Sequence, residues 1–119
     1  MDWYYVPDGP ARFENMIATY LYRTCKSLTD MGYGRYELFY LRTIDKREID
    51  FIVARDHRPI IAVEAKSGDA KLSNALIKRG KWFPDMPTLG IQVVDKRNII
   101  QKLQDNTWIV SAERLLNLI

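Results

Sequence analysis

In the stretch "EIDFIVARDHRPIIAVEAK", residues 48–66, three charged residues interrupt apolar runs that would otherwise read as plain strands: Asp50, Glu64 and Lys66. Strand side chains alternate, so Glu48, Asp50, Ile52 and Ala54 share one face, and Ile60, Ala62, Glu64 and Lys66 share one face of the next run. A hairpin closed by "RDHRP" and centred on His57 sets Ala54 against Ile60, Ile52 against Ala62, Asp50 against Glu64 and Glu48 against Lys66, a register the apolar pairing supports. Directly opposed side chains have Cβ atoms about 4.5–5.5 Å apart, where like charges are destabilising. A divalent cation would compensate. Mg²⁺, with Mn²⁺ as a substitute, takes one or two carboxylates and keeps several waters for a phosphate substrate. Lys66 would stand beside that metal, either to stabilise a pentavalent phosphate transition state or to help deprotonate the attacking water.

These residues need elements to position them. The opening "MDWYYVPDGPA" has no clear period and is broken by Pro7, Gly9 and Pro10, so residues 1–11 read as a linker or packed arm and 12–119 as the domain. From Arg12, the residues Phe13, Met16, Ile17, Tyr20, Leu21, Cys25 and Leu28 recur at three and four, which predicts an amphipathic helix ending at "DMGYG". Three strands follow: "YELFYLRT", "EIDFIVA" and "IIAVEAK". Ser67-Gly68-Asp69 then opens a helix reaching about Trp82, which stops before Pro84. "TLGIQVV" and "NTWIV" are two more strands, and Ser111 is placed to cap a last helix, "AERLLNLI". Residues 98–104 carry no assignment. The order α-β-β-β-α-β with a β-α tail predicts an α/β fold, a mixed sheet flanked by helices.

With 119 residues, 47% of them hydrophobic, the chain is one domain's worth and can bury a core. Eighteen Lys and Arg against 15 Asp and Glu give a net charge of +3, which permits a polyanionic partner such as DNA without demanding one. The single cysteine, Cys25, cannot close an internal disulfide, and nothing marks a signal peptide, so the expected location is a reducing cytoplasm. No window approaches the roughly 18 apolar residues of a spanning helix, so no membrane partner is expected.

"EIDF" followed by "VEAK" resembles the PD-(D/E)XK nuclease superfamily, in which an Asp at a strand end and a Glu-x-Lys on the next strand form a metal site. The resemblance places Asp50 at the Asp position and Glu64, Ala65 and Lys66 at the E-x-K positions. It implies a restriction-endonuclease-like core, with Asp50, Glu64 and the Ala65 carbonyl as metal ligands. "RFENMIATYL" is similar to the helix that supplies a further acid in many of these proteins, which would be Glu14. More closely, "DW...ARFENMIA", "YLRT...REIDFIV" and "VEAKSG" in that order resemble the C-terminal nuclease-like domain, of unknown function, of prokaryotic AAA-type ATPases, over about Asp2 to Val110. Ile49 stands where the superfamily's name has proline. No G-x-x-x-x-G-K-[ST] occurs, so the resemblance implies a fragment of a longer protein, or a remnant, whose ATPase domain is missing.

Each residue also has a plainer reading. Asp50 and Glu64 are equally readable as solvated strand ends with Lys66 as an ion-pair partner, and helix periodicity alone turns Glu14 to solvent. Cys25 reads as core, and His57 as an exposed turn residue with no role. Trp82 and Phe83 with Lys78, Arg79 and Lys81 form either a basic, aromatic edge for nucleic acid or a helix end packed on the sheet. Three functions therefore stand beside one another: Mg²⁺-dependent hydrolysis of DNA phosphodiesters, a non-catalytic nucleic-acid-binding or interaction module that keeps the nuclease fold, and a structural dimerisation domain.

Overall fold

A computed structural model describes residues 9–42, 47–66, 74–77, 79, 88–103 and 106–118. Helix α1 spans Gly9–Asp30. It starts earlier than the expected Arg12, because the first N–H groups of a helix have no intrahelical partner and Pro10 in the first turn forfeits no bond. Its end is a Schellman arrangement: Tyr33 N donates to Leu28 O at 3.1 Å and Gly32 N to Thr29 O at 3.1 Å, with Gly32 at φ 88. The buried stripe is Phe13, Ile17, Ala18, Leu21 and Cys25, whereas Met16, assigned to it by spacing, is 47% exposed.

Strands β1 (Tyr36–Arg42), β2 (Arg47–Arg55) and β3 (Arg58–Lys66) form an antiparallel meander. A four-residue helix, α2 (Asn74–Ile77), precedes β4 (Leu89–Val94), and β5 (Ile100–Lys102), β6 (Thr107–Ser111) and α3 (Ala112–Leu118) complete the chain. The six-stranded sheet runs β1-β2-β3-β4-β6-β5 and is mixed, with β3, β4 and β6 parallel to one another. The expected elements occur in the expected order, with one strand, β5, added. β5 falls in the stretch that carried no assignment; it is three residues long, too short for a period to emerge. Of the rest of the expected 67–82 helix, only Arg79 is among the described residues. Ser111 ends β6 and spends its hydroxyl on the Ile99 amide at 3.2 Å, not on a cap for α3.

The β2–β3 hairpin turns on two residues, Asp56 and His57, both left-handed at φ 50 and 69. This is the primed two-residue turn whose twist suits a hairpin. It pairs Arg55 with Arg58 and Ala54 with Pro59, not Ile60, and a register shift between Val53 and Ala54 then restores the expected Ile52–Ala62 pair. The turn is one residue shorter than a turn centred on His57, and the extra residue, Ile60 between Pro59 and Ile61, restores the lower register.

The two faces of the sheet differ in kind. Phe51, Val53, Val63, Ile91, Val93 and Val110 pack with the α1 stripe and Leu115 of α3 into the main apolar core. By alternation the opposite face carries every buried polar residue found on a described strand: Asp50, Glu64, Gln92, Thr107 and Ser111.

Candidate functional site

Asp50 lies where both of its neighbouring ladders are interrupted. On the β1 side the register shifts between Phe39, paired with Ile52, and Leu41, paired with Ile49. On the β3 side the regular pairing ends at Phe51–Val63, one residue short of Asp50. Such irregularities re-aim side chains and free backbone groups from the ladder. The freed groups are taken up by the acids: Asp50 N donates to Glu64 Oε1 at 2.9 Å, and Ala65 N donates to Asp50 Oδ2 at 2.8 Å. Both acids are buried, Asp50 at 2% and Glu64 at 5% exposure. Carboxylates out of water need charge-assisted donors of this sort.

Lys66 Nζ lies 3.7 Å from Glu64 Oε2, and its side chain is 41% exposed, so the ammonium stands at the rim of the buried pair. The expected Glu48–Lys66 pairing involves a side chain outside the described residues. The like-charge contact inferred from the hairpin is therefore balanced by two backbone amides and one ammonium, a compensation that side-chain alternation alone does not reveal.

The structure thus brings Asp50, Glu64, the Ala65 backbone and Lys66 together. Glu14 is half-buried on α1, and among the described residues no group of three or more His, Cys, Asp or Glu is placed to hold a metal ion. In the parallel β3–β4 register Gln92 sits beside Glu64 and is fully buried. Sequence reasoning passed over it; the available signal was one amide inside the apolar run "LGIQVV".

Of the two readings open for Arg79, a nucleic-acid edge or a packed helix end, its burial supports packing. It is 7% exposed, and its guanidinium donates to Thr88 O and Oγ1, Leu76 O, Thr107 Oγ1 and Asn106 O at 2.8–3.3 Å. Lys78, Lys81, Trp82 and Phe83 lie outside the described residues. His57 is an exposed turn residue, as expected, 3.7 Å from Glu37 Oε1. Cys25 is core, and burial raises its thiol pKa. A cleft of about 400 Å³ between α1 and β1, lined by Tyr22, Lys26, Thr29, Arg35 and Tyr36 among others, contains none of the site residues.

No described helix is long and apolar enough to cross a membrane. Comparison with curated proteins and with solved structures gives no match. A family model described as a domain of unknown function, DUF4143, matches residues 11–115, and domains of this family are often found at the C-terminus of AAA-type ATPases. With nearly the whole chain matched, the protein belongs to the DUF4143 family.

Proposed function

We propose that this chain is a PD-(D/E)XK nuclease-like domain with a restriction-endonuclease-like core, the C-terminal part of an AAA-type ATPase, and that it hydrolyses DNA phosphodiesters with Mg²⁺. The observation that carries the reading is the pair of buried acids, Asp50 and Glu64, gathered at a break in the sheet with Lys66 3.7 Å from Glu64. The donor set suits the ion. Two carboxylates and the Ala65 carbonyl are hard oxygen ligands, and Mg²⁺ asks for few protein ligands because it keeps its waters, whereas Ca²⁺ takes six to eight oxygens and zinc draws on His and Cys.

When bound, the metal ion supplies an activated water and neutralises charge on the scissile phosphate. The chain's own residues do the rest. The Asp50 and Ala65 amides each hold a carboxylate oxygen in place, so neither acid has to be ordered as substrate arrives. Lys66, at the rim, offers an ammonium to a phosphate oxygen as negative charge develops there.

Supercoiled plasmid incubated with Mg²⁺ or Mn²⁺ tests the reading: nicking is expected from the wild type and not from Lys66→Ala. Equal nicking by the two proteins would mean a contaminant and would end the enzymatic reading.

The second reading is a module that keeps the nuclease fold without activity and binds nucleic acid or protein. It is favoured by the same hydrogen bonds, since a carboxylate that caps a backbone amide has a structural reason to be there. Plasmid left intact by a protein that still binds DNA would select it.

A further inference from the structure

We infer that the loop leaving β4, "DKRN" at 95–98, is a rim that grips the DNA backbone beside the site, with Arg97 as its phosphate contact; this rests on reading the site as one that faces phosphodiesters. The loop's position comes from the parallel pairing of β3 and β4. Lys66 is in register with Val94, and Asp95 N donates to Lys66 O at 3.3 Å. Lys66 and the loop therefore leave the sheet side by side, at the carboxyl ends of parallel strands, where open α/β sheets place their ligands. Arg97 follows Val94 by three residues, a chain length of at most roughly 11 Å.

The loop is anchored from behind. Asn98 is left-handed at φ 57, and its amide donates to Glu113 Oε1 of α3 at 2.6 Å. The Ile99 amide donates to Ser111 Oγ, and Ser111 N to Ile99 O at 2.8 Å. These bonds turn the chain back into β5 and leave Arg97 on the outer bend. A loop already ordered loses little freedom on binding.

The charge on that bend is available. Arg97 is exposed and, among the described residues, has no hydrogen-bond or ion-pair partner. Its guanidinium fork matches two oxygens of one phosphate, a geometry lysine cannot reproduce.

The test is fluorescence anisotropy of a labelled DNA duplex, titrated in chelator over a series of salt concentrations. Arg97→Ala is expected to weaken binding and to lower the slope of log K against log salt by about 0.9, the loss of one phosphate contact. Arg97→Lys should keep the slope and recover part of the affinity. Arg23→Ala, which removes an exposed arginine from α1, is expected to match the wild type. The inference is overturned if Arg97→Ala matches the wild type in affinity and slope, if Arg23→Ala weakens binding equally, or if the wild type does not bind. It is separable from the hydrolytic reading. Arg97-dependent binding without plasmid nicking keeps the rim and removes the enzyme; nicking by a protein whose DNA binding ignores Arg97 does the reverse.

Discussion

Glu64 accepts the backbone amide of Asp50 at 2.9 Å, while Asp50 accepts the amide of Ala65, the residue next to Glu64, at 2.8 Å. Each acid thus completes the backbone on the other's strand. Two facing carboxylates with nothing between them would repel, and neutralising either would stabilise the protein. Two carboxylates that replace missing ladder bonds behave differently, because removing one strands a buried amide.

Asp50→Ala should therefore destabilise the protein in chelator by about 1–2 kcal/mol, the lower part of the cost of an unsatisfied buried donor, because the Ala65 amide is part-buried. Asp50→Asn keeps an oxygen in the same place and should cost clearly less. Urea denaturation of the three proteins checks this, and equal losses for alanine and asparagine would show that the Ala65 bond contributes nothing.

Gly90 and Arg79 form a second coupled pair. A Cβ at Gly90 would stand 2.8 Å from the Arg79 guanidinium, which is fixed by the acceptors at Thr88, Leu76, Thr107 and Asn106 and cannot swing away freely. Gly90→Ala is expected to destabilise the wild type by about 1–3 kcal/mol, as overpacking does. In an Arg79→Ala background the same change should cost little. Additive losses in this double-mutant cycle would mean that the two residues do not meet.

His57 occupies a left-handed position, φ 69, that costs an L-residue about 1–2 kcal/mol. Glycine there relieves the strain and gives back roughly 0.5–1 kcal/mol in unfolded-state entropy. His57→Gly should raise stability by up to about 1 kcal/mol, since the exposed contact with Glu37 contributes little. A lower melting temperature would show that the imidazole has a role the turn geometry does not explain.

Much of the fold was legible because it rests on local signals. The 3.6-residue stripe from Phe13 to Cys25 and the apolar runs of β2, β3 and β4 declared themselves, and so did the pairing of Ile52 with Ala62. The errors lie where tertiary contacts override local rules. Pro10 reads as a breaker but costs nothing in a first turn. The turn at Asp56–His57 is one residue tighter than a turn centred on His57, and the shift after Val53 conceals the difference. In the site, Asp50, Glu64 and Lys66 stand out as charges within strands. Their hydrogen bonds were illegible, because a register of side chains does not say where a ladder opens and which amides it releases. Gln92 escaped for a related reason: burial of a polar residue is a property of the whole sheet face.

Whether Asp50 and Glu64 hold a divalent cation is decided by thermal melting, since an ion that binds the native state raises the melting temperature whether or not the protein is an enzyme. Wild type, Asp50→Asn and Glu64→Gln would be melted in chelator and again with Mn²⁺ or Mg²⁺. The melting temperature of the wild type is expected to rise with metal, with no such rise for either variant. A wild-type curve unmoved by both ions, or a rise of equal size in all three proteins, would contradict it.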